Sequence, residues 1–505
     1  MKLPTKLSAL RTYRAQQTAF KGLSSLPFLE EGELRNCCNM TTKYYPYLVT
    51  RNRRRYADFL RNGEPSPVGW TVAGDNTIQS LTGHWTITQG ADRFFVELHT
   101  ESGLGAGGEI PDMIESMQGG FRRYAMAESM AGKMVVFPSV PDANWEMVPS
   151  KSTLYYGVPG DGHSGDPQWK SVELTGMVLF GGVAFNNNLY CFGRQYDKEG
   201  TSSPMIVSSA LGEPTDFVTP EGGATTTSAY RFLVPVDSDF TAIFQYRNNV
   251  YYFTAEEMFQ IYGTDPTNYT SQKIHNFGCQ SMRSITEVGG VLYFSDGKNV
   301  YAFTGGSPVK ISGKLDLEQS EEILLGGGED ILYLAVKNTG HKTRLFTYTT
   351  NQGVFSSEDV EEILCFFQFS GFPMYSDGER MVNLDGLFSS QNIESTIEPP
   401  VRWEVETGYY TKYYYASNAS VTYSEKDKRI TRVLVRLHVK GPAELSVAIS
   451  TDDGEYKTVY SRGAVCSGCV EIPVSLKPCD RFSVRLNGTG PCELVSIVKE
   501  MVGSE

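Results

Sequence analysis

Between about residue 70 and residue 395 one pattern of positions keeps returning: a pair of turn residues, then a short alternating strand rich in aromatics. It appears as Gly132-Lys133-Met134-Val135-Val136-Phe137, Asn187-Asn188-Leu189-Tyr190-Cys191-Phe192, Asn248-Asn249-Val250-Tyr251-Tyr252-Phe253 and Gly289-Gly290-Val291-Leu292-Tyr293-Phe294. Further copies are Lys298-Asn299-Val300-Tyr301-Ala302-Phe303, Glu329-Asp330-Ile331-Leu332-Tyr333-Leu334 and the run 344–348. Asn-Asn and Gly-Gly ahead of a strand supply the positive-φ geometry of tight hairpins. Phe137, Phe192, Phe253, Phe294 and Leu334 recur at intervals of 40 to 61 residues. A repeat of that length holding several short strands predicts a β-propeller blade, and five to seven blades fit the span. Helical patterning is confined to 112–117 and 316–324.

The pattern changes near Ser395. The acidic, proline-bearing stretch 393–400 reads as a linker, and residues 396–505 as a C-terminal β-sandwich. Its strands alternate, as in Arg432-Val433-Leu434-Val435-Arg436-Leu437-His438-Val439 and Glu444-Leu445-Ser446-Val447-Ala448-Ile449, with turns at about ten-residue spacing. Residues 1–62 read as an extended arm, because Pro27 and Pro46 push their predecessors away from helix. The predicted layout is all-β: arm 1–62, propeller 63–395, sandwich 396–505.

Composition agrees, with 29 Tyr, 27 Phe and 50 Gly in 505 residues. Tyr and Phe favour a pleated, half-buried surface and Gly the turns. The net charge of −13 is uneven, since residues 1–62 hold 12 Lys and Arg against 4 acids and the remainder carries −21. An acidic body discourages binding to nucleic acid, whereas a basic arm suits an acidic partner. Arg51, Arg53, Arg54 and Arg55 are the candidate assembly or DNA contacts, set against the plainer reading of a solvated loop. No apolar run is long enough to span a membrane. The first twenty residues lack a secretory core, so the chain is expected to stay in the cytoplasm unless it leaves within a larger assembly. Nine Cys at irregular spacing suit reduced thiols. Cys466, Cys469, Cys479 and Cys492 contain one CxxC but no second, and buried free thiols are preferred to a zinc site.

No catalytic constellation stands out. His84, His99, His163, His275, His341 and His438 are scattered without metal-ligand spacing, and there is no GxSxG elbow. The run 103–108, Gly-Leu-Gly-Ala-Gly-Gly, lacks the GK[ST] ending of a phosphate cradle and reads as a flexible loop. Ser450-Thr451-Asp452-Asp453-Gly454-Glu455 is like the Asp-box turn of sialidase-type propellers, but it occurs once and outside the blades, which favours an ordinary hairpin turn. No spacing singles out an acid/base carboxylate pair. The expectation from the sequence is a chain that is not an enzyme and takes no cofactor or metal.

Four segments resemble the β-propeller proteins of tailed-phage and prophage tails, of the hub, nozzle or DNA-stabilisation type. The first is the arm pattern Gly22-Leu23, Glu31-Gly32-Glu33, Asn39-Met40, Tyr45-Pro46-Tyr47-Leu48 and Arg51. The second is 131–138, and the third runs from Val207 through Gly212, Pro214 and Phe217 and continues over 244–263. The fourth is Val401-Arg402-Trp403-Glu404-Val405-Glu406-Thr407-Gly408 with Ile472-Pro473, 478–482 and the terminal Gly503-Ser504. The resemblance implies a virion tail component assembled in the bacterial cytoplasm with other tail proteins. It also implies a homo-oligomeric ring, a hexamer, that passes double-stranded DNA without binding it specifically and takes part in genome retention and ejection. Two other functions remain open at this point: a host-glycan-binding module, for which Trp70, Trp85, Trp145, Trp169 and Trp403 are too dispersed to suggest one face, and a propeller glycosidase.

Overall fold

The computed structural model describes residues 11–27, 29–57, 60–61, 64–65, 70–72, 83–89, 94–100, 103–110, 126–130, 133–137, 151–158, 168–199, 201–234, 236, 238–338, 342–360, 362–363, 365–369, 371–377, 380–388, 395–410, 413–417, 420–424 and 429–503. Six consecutive four-strand antiparallel meanders occupy 70–110, 126–175, 177–232, 240–275, 285–310 and 322–358. A seventh sheet begins with Cys365–Phe369, Phe372–Ser376 and Met381–Asn383. The first strands of successive sheets lie against one another from Met126–Met130 round to Cys365–Phe369. Strands Cys365–Phe369 and Phe372–Ser376 in turn approach Gly83–Gln89 and Trp70–Val72, which brings the seventh sheet round to the first. Among the described residues the protein is therefore a β-propeller of seven blades, followed by a sandwich.

The recurring aromatic is the blade core. Phe192, Phe253, Phe294 and Leu334 fall in the second strand of their meanders, and each is essentially fully buried. Phe253 and Phe294 meet across neighbouring blades with ring centroids 5.2 Å apart, beside Tyr301 and Phe303. The turns behave as their residues dictate: Asn186 and Asn187 have φ of 49° and 58°, Gly289 and Gly290 of 58° and 75°. Gly326 allows close approach between blades, because a Cβ there would lie 2.3 Å from Cγ of Phe366. Phe294→Ala is expected to cost about 3–5 kcal/mol, read as a lower urea midpoint at unchanged slope. A loss under about 1 kcal/mol would mean that adjacent blades do not share this core.

Two local expectations are corrected. The glycine-rich 103–108 run is no loop: Gly103–Ile110 is a strand paired along Phe94–Thr100. Stretch 316–324 is no helix, since Leu317 and Ser320 form a turn and Glu322–Gly327 is a strand. That strand is buried on both faces, and such strands read as unbroken apolar runs that periodicity cannot tell from a helix.

The arm is extended, and its strands are built into the rest of the molecule. They are β1 (Arg11–Gln17), β2 (Leu34–Cys38), β3 (Met40–Thr41), β4 (Leu48–Thr50) and β5 (Arg55–Ala57). β1 and β4 pair with the last strand, Cys492–Gly503, and β3 pairs with β4. β5 pairs with Met381–Asn383 and completes the seventh blade. Ser395–Ile397, inside the expected linker, pairs with the other edge of β5. β2 lies between Val354–Glu358 of the sixth blade and Arg402–Thr407 of the sandwich, parallel to the first and antiparallel to the second. Blade, arm and sandwich thus form one nine-stranded sheet. One contiguous core follows from it: Phe20, Leu34, Met40 and Leu48 pack with Leu334 and Phe355 of the blade and with Val405 and Leu486 of the sandwich.

Candidate functional site at the arm junction

Where β2 ends, Asn39 takes φ of 59°, a value Asn tolerates better than most residues, and turns the chain into β3. It is buried, and its groups are all engaged. Its backbone N–H donates to the Ser357 carbonyl at 2.8 Å and Nδ2 to the Arg402 carbonyl at 2.6 Å. Its Oδ1 accepts from the Asp359 backbone N–H at 3.1 Å and from Nε of Arg51 at 2.8 Å. One side chain therefore ties the arm to the blade and to the sandwich.

Arg51 is the hub of the junction. Its Nη1 and Nη2 donate to Oε2 and Oε1 of Glu398 at 2.6 and 2.8 Å, a two-pronged contact. Nη2 also donates to Oδ1 of Asp359 at 2.8 Å. Arg54 donates from Nη2 to Oε2 of Glu358 at 2.7 Å and from Nη1 to the Asp359 carbonyl at 2.6 Å, and lies over the Tyr375 ring. The side chains of Arg51 and Arg54 are 5% and 3% exposed. At Arg51 and Arg54 the solvated-loop reading of the run is corrected, because internal carboxylates hold both side chains. Arg53 is exposed, with Nε donating to the Glu398 carbonyl, and Arg55 is half-buried, with Nε donating to the Gly386 carbonyl at 3.1 Å.

Burial by itself would raise the Glu398 and Asp359 carboxyls, but hydrogen bonds and charge from Arg51 outweigh it and hold both below their ordinary values. A carboxyl depressed in the folded state stabilises the fold above its unfolded pKa of about 4, and that contribution is lost as pH falls through the folded value. Between about pH 7 and about pH 3, hydrogen-exchange protection of β2 to β4 is expected to fall further than that of Glu444–Thr451. Equal change in both would show that the junction carboxylates do not hold the arm.

Beside this junction lies a groove of about 590 Å³ on the outer face of the nine-stranded sheet. Its floor is a single register row across five strands: Cys38, Glu404, Asn487, Ser446 and Ser461. Arg402 and Glu444 stand at its rim, both exposed. Trp403 points the other way into the core, over Gly488, where a Cβ would sit 2.1 Å from its Cζ2. The row is hydrogen-bonding without an aromatic platform, so it suits a hydroxyl-rich or peptide ligand. Sequence reading could not assemble it, because its members are joined only by strand pairing.

The remaining sequence candidates are placed as follows. Cys466 and Cys469 are exposed whereas Cys479 and Cys492 are buried, and no metal-binding cluster occurs among the described residues. The segment 450–455 is a hairpin turn, with φ of 49° and 59° at Asp452 and Asp453 and Oγ of Ser450 donating to the Gly454 carbonyl at 2.6 Å. Trp145 and the 112–117 stretch lie outside the described residues.

No family model matches the chain. No curated protein matches it either. Among solved structures, it is similar to the β-propeller domain of the Trilobed protease from Pyrococcus furiosus, at 10% identity over 65% of this chain and 98% of that one, with a TM-score of 0.37. Trypanosoma rangeli sialidase aligns at 8% identity over 88% and 94% of the two chains, with a TM-score of 0.35. Exo-β-1,3-galactanase from Phanerochaete chrysosporium aligns at 10% identity over 74% and 95%, with a TM-score of 0.26. At these scores the alignments assign no activity or ligand to this chain. They do correct one expectation: two of the three structures are enzymes by name, so the expectation from the sequence that the chain is not an enzyme does not stand.

Proposed function

We propose that the chain is a structural component of a tailed-phage tail, of hub, nozzle or DNA-stabilisation type, that assembles in several copies around the DNA channel. The observation that carries this reading is where the resemblance residues fall. Asn39, Met40, Leu48 and Arg51, which mark the arm pattern of that family, are the residues that lock arm, blade and sandwich together. A joint made of one continuous sheet suits a part that must transmit load without its domains separating. The charge of −21 outside the arm suits a surface along which a duplex slides, since like charge keeps phosphates from being trapped. Mass photometry over rising concentration, with negative-stain imaging, tests it. Closed rings, with six copies the expected number, support the reading; a chain that stays monomeric alone and with neighbouring tail proteins sinks it.

A second reading is favoured by the polar row in the groove: the chain takes a glycan there, as a binding module or a hydrolase. A glycan microarray and a panel of chromogenic glycosides separate the two forms. Binding that is lost in Asn487→Ala would support the groove as the site. Silence on both assays would end this reading.

A further inference from the structure

Of the nine cysteines, six are buried, Cys38 is half-buried, and only Cys466 and Cys469 are exposed. Cys466 stands in the segment that joins Lys457–Arg462 to Gly468–Pro473, and Cys469 is the second residue of the latter strand. The first of those strands is the free edge of the nine-stranded sheet and the second the free edge of the six-stranded one. We propose that Cys466 and Cys469 are a reversible redox pair, open as two thiols in a reducing cytoplasm and closed as an internal disulfide in an oxidising medium.

Geometry supports closure within the chain. Fully extended, residues three apart would hold their Cα atoms at roughly 10 Å, beyond the limit of about 7 Å for a disulfide. Here the chain bends at Ser467, and Gly468 takes φ of +147°, so the segment is not extended. The bend is anchored: the Val439 backbone N–H donates to Oγ of Ser467 at 2.8 Å, and that hydroxyl donates to the Val439 carbonyl at 3.3 Å. Around Gly468 nothing lies within 4 Å of where a Cβ would be, which leaves room for the adjustment a bond requires.

Access is also built in. Cys469 lines a groove of about 530 Å³ with Gln16, Thr18, Pro46 and Tyr47 of the arm, and it faces the exposed Arg436 in register on the neighbouring strand. A cation beside the thiol suits an anionic small-molecule disulfide such as oxidised glutathione. In the reaction one cysteine sulfur attacks that disulfide and expels one glutathione thiolate. The second cysteine then attacks the mixed disulfide and expels the other. Two thiols are oxidised, one disulfide is reduced to two thiols, and two protons pass from the protein to the leaving glutathiones.

The pair rests on the virion reading only for its change of surroundings, from the cytoplasm to the exterior. The test uses the full chain in glutathione buffers of rising oxidised fraction, with acid quench, alkylation and intact-mass measurement. The wild type is expected to lose two hydrogens and two alkylatable thiols without gaining glutathione. Cys466→Ser and Cys469→Ser are each expected to gain one glutathione instead, and the double variant none. A wild type that stays unmodified, carries two glutathiones, or forms disulfide-linked dimers overturns the proposal. Mass photometry reads assembly separately, so an internal bond in a chain that stays monomeric alone and with neighbouring tail proteins keeps this inference and ends the tail reading.

Discussion

A chain lacking residues 1–50 is expected to lose the cooperative unfolding of the full-length protein. Without β2 nothing lies between Val354–Glu358 and Arg402–Thr407, so the nine-stranded sheet becomes two sheets with bare edges. The last strand also loses its pairing with β1 and β4. Six buried side chains leave the shared core with them: Phe20, Leu23, Leu34, Cys37, Met40 and Leu48. Full burial of a large apolar side chain contributes about 1.5–3 kcal/mol, against a total stability of about 5–15 kcal/mol for a domain. The missing burial is comparable to the whole margin. Calorimetry and circular dichroism should show either no native state or separate transitions for propeller and sandwich. Adding a peptide of residues 11–50 should restore a single transition. A truncated chain with the full-length midpoint and one transition would refute the role given to the arm.

Arg51→Ala is expected to cost about 3–5 kcal/mol, the range for breaking a buried ion pair from one side. The loss comes less from the vanished contact than from what stays behind: Glu398 would keep its charge without its partner side chain, whereas Glu358 would retain Arg54. Arg51→Lys should recover only part, because an ammonium cannot reproduce the fork to both Glu398 oxygens. Arg51→Ala combined with Glu398→Ala should cost less than the sum of the single changes, since the pair leaves together. Urea midpoints of the wild type and these four variants measure this. An Arg51→Ala penalty under about 1 kcal/mol, or strict additivity, would show that the pair is not coupled.

What the sequence revealed and what it hid have the same cause, the distance over which a pattern is written. Each blade is a local object. Its turns and its aromatic positions lie within one repeat, and Asn187, Gly289 and Phe294 could be read in place. The change of character near Ser395 was local too. The arm was not: Leu34, Cys37 and Met40 make a short apolar pattern whose partners lie more than three hundred residues onward. Arg51 and Arg54 looked solvated because no acid near them in sequence pairs with them. Glu358, Asp359 and Glu398 meet them only once the chain folds. The groove row was hidden for the same reason, being one residue from each of five strands.

The pairing of Arg11 with Gly503 sets the order in which this protein can be made. β1 leaves the ribosome several hundred residues ahead of Cys492–Gly503, so it must wait for its partner while the middle blades, whose contacts are local, fold as they emerge. The arm is then laid down in stages, β2 and β5 as their blade partners emerge and β1 and β4 only with Cys492–Gly503. Until Val354–Glu358 and Met381–Asn383 emerge, β2 and β5 wait with their edges uncovered. The arm strands are therefore the part of this chain exposed longest to chaperones and to wrong strand partners.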